Sequence, residues 1–389
     1  MKKVMSFLIL LSLFIFIPSV AAEEVSSDLA PNSKSAILLD ASTKTILFKK
    51  NEQEKLAPAS MTKVMSMLLI MEAIDNGNLS LDDDVTISEN AASMGGSQVY
   101  LQAGETYKVK ELLKGIAVAS GNDAVVAMAE KISGTVSDFV ARMNERAKEL
   151  GAVNTHFVNP HGLDAEDHYT TAYDMALMAF ELLKHPTILE YTSIYEDYLQ
   201  KNDGSSIWLV NTNKLVRFYD GVDGLKTGFT ATAGYCLTAT AKKNNLRLIS
   251  VVMGAETSDK RSSDTTSLLN YGFNTYKTHV VLTTKDSLGV KRVENGVVEQ
   301  ADIVLTQDYV KLLKQTDAKP NYSFNVSVDS LVAPLKKGDI VGKVSVVDET
   351  GSVIDTLDVT LKEDIPKVNW WQAFLKNLKH LTAGQILIK

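Results

Sequence analysis

Two short apolar runs, Ala36-Ile37-Leu38-Leu39 and Thr45-Ile46-Leu47-Phe48, flank a turn at 40–44, a pattern that predicts a β-hairpin over 35–49. A polar stretch at 49–55 leads to Pro58, and 64–74 is then apolar nearly all the way round. That predicts a helix buried on every side. Helical spacing continues over 109–119, 123–132, 136–150 and 172–183, and two strands follow at 236–241 and 246–253 with a turn between them. Helices and strands interleave without long crossovers between parallel neighbours, which predicts a mixed α/β domain whose antiparallel sheet is flanked by helices.

The texture changes after residue 278. Short β-branched runs at 280–282, 297–305, 322–328, 340–347 and 353–361 are separated by turn signals such as Asn295-Gly296 and Lys337-Gly338-Asp339. They predict a small all-β domain over 279–363. The segment 364–389 is different again. On a helical wheel Trp370, Trp371, Phe374, Leu375, Leu378 and Leu381 share one side, opposite Asn369, Gln372, Lys376, Asn377, Lys379 and His380. From Pro366 onward it has four lysines and no acid. An amphipathic helix of this kind suits the surface of an anionic membrane, the alternative being a helix packed on the protein's own core. At the other end Lys2 and Lys3 precede an apolar run at 7–17 and small residues at 19–22. This describes a secretory signal peptide over 1–22, since the run is shorter than the roughly 20 residues a membrane span needs.

Composition narrows the classes. Of 389 residues, 45% are apolar and 22% charged, a globular balance, and the net charge of -7 with no long basic run excludes a general affinity for nucleic acid. The single cysteine, Cys236, excludes a disulfide framework; it lies in an apolar strand-like stretch and reads as a buried, inert thiol. The six histidines include no His-Glu-x-x-His arrangement, so no metal site is expected.

Three short motifs carry chemistry. Ser60-Met61-Thr62-Lys63 opens the apolar helix, and the i to i+3 spacing puts Ser60 and Lys63 on one face. The helix dipole favours negative charge developing at Ser60. A buried lysine with another cation near it loses its proton easily enough to serve as a base. Ser120-Gly121-Asn122 follows the helix at 109–119. There Ser120 is placed to relay a proton to a departing amine and Asn122 to hold a substrate amide. Lys226-Thr227-Gly228 precedes the strand pair. Lys226 supplies positive potential, Thr227 a hydrogen bond to a carboxylate, and Gly228 room for substrate along a strand. Arg261 is a second clamp for a free carboxylate. Taken singly, each has a plainer reading: Ser60 as an N-cap, Lys63 as a solvated charge, Gly121 as a helix cap, Lys226 and Arg261 as surface charges.

Together, in this order, the motifs resemble the three signatures of the penicillin-binding proteins and serine β-lactamases. Pro58-Ala59-Ser60-Met61-Thr62-Lys63, Ser120-Gly121-Asn122-Asp123-Ala124, His161-Gly162-Leu163-Asp164, 221–228 and Ala233-Gly234-Tyr235-Cys236 narrow the match to the low-molecular-weight D-alanyl-D-alanine carboxypeptidases. The resemblance runs from about residue 30 to 389. It implies a serine transpeptidase-like, β-lactamase-like fold over 23–278 and an acyl-enzyme route with no cofactor. Ser60 attacks the carbonyl between two D-alanines of a peptidoglycan pentapeptide stem, with Lys63 as base and β-lactams as covalent inhibitors. Backbone N–H groups of Ser60 and Phe229 form the oxyanion hole, Ser120 and Lys226 assist proton transfer, and Thr227 and Arg261 hold the terminal carboxylate. Some relatives carry His at the position of Phe229, so the deacylation step is expected to differ in speed. His161 and Asp174 match positions near the cleft without an expected direct role.

The rival readings are a β-lactamase, whose Glu-x-x-Leu-Asn stretch does not occur between Ser120 and Lys226, and a non-catalytic penicillin sensor. The expected placement is export to the outer face of the cytoplasmic membrane, with peripheral anchoring by the C-terminal helix and the β domain as spacer.

Overall fold

The computed structural model describes residues 28–201, 204–372 and 374. The predicted hairpin is formed by β1 (Ser35–Asp40) and β2 (Ile46–Lys50). With β3 (Val222–Thr230), β4 (Gly234–Lys243) and β5 (Leu246–Ala255) they make a five-stranded sheet in the order β2-β1-β5-β4-β3. Every neighbouring pair is antiparallel. The predicted turn between β4 and β5 is there, with Asn244 in the left-handed region at φ 54°. Alternate residues of β1 serve two cores: Ile37 and Leu39 face one, Ala36 and Leu38 the other. A strand buried on both faces shows no polar alternation, which is why 36–39 read as unbroken apolar sequence.

The first core is helical. In α1 (Lys63–Asp75) every side chain from Lys63 to Met71 is buried. The helices α2 (Val109–Ala119) and α3 (Asn122–Ser133) pack on each other, and α3, α4 (Val136–Glu149) and α5 (Ala172–Leu182) enclose α1. On the opposite face of the sheet, α6 (Ser258–Thr275) lies along β4 and β5. Sequence pattern does not reveal α6. Its first ten residues are Ser, Asp, Lys, Arg and Thr with no apolar member, and only Leu268, Leu269 and Gly272 among its apolar residues and glycines are buried. Gly272 is what lets it sit close: a Cβ there would stand 2.5 Å from Leu248 Cδ1.

The second unit is all-β. Its six-stranded sheet runs Ser323–Val328, Gly342–Val347, Val353–Leu361, Gln300–Leu305, Val290–Glu294, Leu331–Val332. The strands Tyr276–Leu282 and Tyr309–Lys314 form a separate pair. Ile303, Val344, Val346, Val359 and Leu361 are its fully buried centre. The sequence pattern misses Val290–Glu294, exposed except at Val293, and Tyr309–Lys314, which is mostly half-buried. Tyr276–Leu282 runs across the expected boundary at 278.

The expected signal peptide at 1–22 lies outside the described residues, as does most of the expected tail helix. Of that tail, 370–372 and 374 are helical, and Trp370 and Trp371 are 70% and 65% exposed. No helix among the described residues is long and apolar enough to cross a membrane.

Leu248 is fully buried between β5 and α6. Leu248→Ala is expected to lower unfolding free energy by about 2–5 kcal/mol, measured by urea denaturation, because the cavity cannot collapse against a rigid sheet.

Candidate active site

Pro58 introduces a 3-10 turn, Ala59–Thr62, that continues into α1 at Lys63. Ser60 therefore lies one turn ahead of the α-helix, still within reach of its N-terminal dipole. Two glycines from distant parts of the chain press on this turn. A Cβ on Gly162, at φ 90°, would lie 1.9 Å from the Ala59 carbonyl oxygen, and one on Gly228 would lie 2.7 Å from the Pro58 oxygen. The room that Gly228 leaves is thus taken by the serine turn, not by substrate as the sequence suggests; strand and turn touch because neither neighbour has a side chain in the way. Ala59 itself is left-handed at φ 47°, a conformation a non-glycine residue holds only under surrounding constraint.

Lys63 is fully buried, and its Nζ donates to Ser60 Oγ at 3.0 Å, Asn122 Oδ1 at 2.7 Å and the His161 carbonyl at 2.8 Å. Burial first, and then the charge of Lys226, hold its pKa well below that of an ordinary lysine; Asp123 opposes this. In the neutral amine, two N–H groups serve Asn122 and His161, and the lone pair faces the Ser60 hydroxyl. The geometry suits a base for Ser60.

Asn122 accepts from Lys63 and donates through Nδ2 to the Gly95 carbonyl at 2.7 Å, so its amide orients the lysine. Asp123 spends its carboxylate on the N–H groups of Val99, Leu101 and Ala124. Ser120, not Gly121, is the left-handed residue that ends α2, at φ 65°. That conformation turns its side chain out of the helix. Ser120 Oγ is buried and has no hydrogen-bond partner among the described residues.

Lys226 is buried on β3, and its pKa is lowered to about 7 by burial and then by Arg261. Arg261 comes from the first turn of α6, is 4% exposed, and donates to Ser258 Oγ at 3.1 Å, while its Nε has no partner among the described residues. Thr227 Oγ1 donates to Thr212 Oγ1 at 2.6 Å. Phe229 is 56% exposed, its ring 4.3 Å from that of its cross-strand partner Tyr235. The fold thus brings Ser60, Lys63, Ser120, Asn122, Lys226, Thr227, Gly228 and Phe229 to one edge of the sheet, with Arg261 acting on Lys226 from α6.

Gly162, Gly95 and the His161 carbonyl contribute to this site, and nothing in their residue types announces it. Only the His161-Gly162-Leu163-Asp164 text hinted at the segment. The His161 imidazole is half-buried, with its pKa lowered to about 4 by burial and by Lys63. Asp174 lies apart, its carboxylate accepting from Asn154 N–H and Thr155 Oγ1. Cys236 is fully buried, and burial raises its thiol pKa to about 11.

Residues 21–257 match the D-alanyl-D-alanine carboxypeptidase family (peptidase family S11), and 276–367 match the C-terminal domain of penicillin-binding protein 5. The chain is 46% identical over 375 residues to the D-alanyl-D-alanine carboxypeptidase DacF of Bacillus subtilis, covering 95% of this chain and 96% of that one. Penicillin-binding protein 5 of Haemophilus influenzae superposes with a TM-score of 0.67 at 32% identity, over 86% of this chain and 98% of that one. The ampicillin-bound form of penicillin-binding protein D2 from Listeria monocytogenes matches with a TM-score of 0.56 at 33% identity, over 62% of this chain and 98% of that one. With its three motifs gathered at one sheet edge and a β-rich unit behind them, the chain belongs to the D-alanyl-D-alanine carboxypeptidase family of penicillin-binding proteins.

Proposed function

We propose that this protein is a serine D,D-carboxypeptidase that removes the terminal D-alanine from peptidoglycan pentapeptide stems, and that β-lactams acylate the same serine. The observation that carries this reading is the buried Lys63 amine 3.0 Å from Ser60 Oγ, its pKa held low by dehydration and Lys226. Lys63 takes the hydroxyl proton as Ser60 Oγ attacks the carbonyl between the two D-alanines. The Ser60 and Phe229 N–H groups receive the developing oxyanion. The Ser120 hydroxyl, without a hydrogen-bond partner among the described residues, passes the proton from Lys63 to the departing amine while Lys226, near its own pKa, stabilises that transfer. Thr227 turns its hydrogen from Thr212 to the terminal carboxylate, and Arg261 adds positive charge beside it. Because β3 is an edge strand, a substrate backbone can lie along it. Water then hydrolyses the acyl-enzyme.

The division of the chain that goes with this reading is a signal peptide at 1–22, the peptidase domain at 23–278, a β spacer at 279–363 and an amphipathic anchor at 364–389. Exposed Trp370 and Trp371 at the start of the last segment support attachment to the outer face of the cytoplasmic membrane.

Ser60→Ala is expected to reduce D-alanine release from a peptide ending in D-Ala-D-Ala by at least about 10³-fold and to abolish fluorescent-penicillin labelling. Release at the parental rate would refute the assignment.

The acylation rate should rise with pH as Lys63 loses its proton. Lys226→Met removes a charge that depresses the Lys63 pKa, so that rising limb is expected to move to higher pH, whatever happens to the maximal rate. A limb at the parental pH would show that the charge of Lys226 does not act on the base.

Deleting 366–389 is expected to shift the protein from the membrane to the soluble fraction with penicillin labelling intact; a deletion variant that still sediments with membranes would overturn the anchor.

A further inference from the structure

The serine turn contains a second hydroxyl that the reaction above does not use. Thr62 is fully buried and occupies the N-cap position of α1, where threonine ordinarily accepts from a backbone N–H of the first turn. Here its side chain makes no capping bond to a backbone N–H among the described residues. It turns back instead, and Oγ1 donates to the Ala59 carbonyl oxygen at 2.8 Å. The same Oγ1 lies 2.8 Å from His168 Nε2, from a segment 106 residues away.

The directions of these bonds follow from one neighbour. Val158 N–H donates to His168 Nδ1 at 2.9 Å, so Nδ1 is the acceptor and the ring hydrogen is on Nε2. The chain therefore runs from Val158 N–H to Nδ1, from Nε2–H to Thr62 Oγ1, and from Oγ1–H to the Ala59 oxygen. It needs a neutral imidazole. His168 is 5% exposed, with the Phe157 ring 5.9 Å away, and burial followed by the charge of His156 lowers its pKa to about 4, against the opposing pull of Asp164.

What this chain grips is a peptide plane. In a trans peptide the C=O and N–H point to opposite sides, so anchoring the Ala59 carbonyl also aims the Ser60 N–H. Ala59 at φ 47° does not hold that orientation by its own preference. Gly162 closes on the same peptide, with room for no side chain between them.

We infer that Thr62 and His168 are positioning residues for acylation, locking the Ala59–Ser60 peptide so that the Ser60 N–H faces the developing oxyanion. The inference rests on the acyl-enzyme reading above. A merely structural pair would change stability and leave the acylation rate of each correctly folded site alone.

The test measures acylation by a fluorescent penicillin in stopped flow, per titratable site, together with the infrared carbonyl band of the penicilloyl ester. For Thr62→Val the acylation rate constant is expected to fall about 10- to 100-fold, a large part of what losing one oxyanion donor costs. Its ester band is expected to move to higher wavenumber as hydrogen bonding to the carbonyl weakens. Thr62→Ser keeps the hydroxyl and should stay within about threefold of the parent. His168→Gln can still donate from its amide nitrogen and should fall between them, whereas His168→Leu should match Thr62→Val. The His168 pair gives the same comparison if Thr62→Val does not fold. Parental rate and parental band in both Thr62→Val and His168→Leu overturn the inference while the acyl-enzyme reading stands. A parent protein that is not acylated at all overturns both.

Discussion

An ammonium group taken out of water beside another cation, with no carboxylate hydrogen-bonded to it, is under strong pressure to lose its proton. Lys63 is in that position, and the surrounding structure is arranged to keep it there. Its helix is enclosed on every side, which carries the side chain into dry surroundings. Among the described residues its three partners are a serine hydroxyl, an amide oxygen and a backbone carbonyl, none of them charged. The nearby carboxylate, Asp123, has its oxygens committed to three backbone N–H groups and so does not bind the amine directly. Lys226, its own pKa lowered by burial and then by Arg261, adds repulsion.

Such a site tolerates little slack, and close packing supplies the precision. The serine turn is gripped by β3 through Gly228, by the 159–169 segment through Gly162, and by the Thr62–His168 chain from beneath. Each grip joins parts of the chain that are about a hundred residues or more apart. The strained φ of Ala59 is what one expects where surrounding contacts, not local preference, decide the backbone. The same edge position that lets β3 face the serine also leaves its outer side open for a peptide.

The five helices read from periodicity and the hairpin are present within a residue or two because each buries a face that local spacing announces. The helix that carries Arg261 was not legible: its first ten residues have no apolar member, and burial against β4 and β5 overrides a loop-like composition. The hairpin Glu196–Gln200 and Ser206–Val210 went unread for a related reason, since only Leu199 and Leu209 are buried on it. The sequence singles out Gly228 for the room it leaves but cannot say that the serine turn fills the space beside it.

Residue type and order alone determined the family and alone put Ser60 and Lys63 forward as nucleophile and base, since the two lie one turn apart and their proximity is local. Tertiary structure alone decided the lowered pKa of Lys63, the partners of Asn122, the reach of Arg261 and the contacts that hold the Ala59–Ser60 peptide. Dehydration, charge repulsion and the grip on a backbone plane all come from groups distant in sequence, and no local pattern encodes which of them will meet.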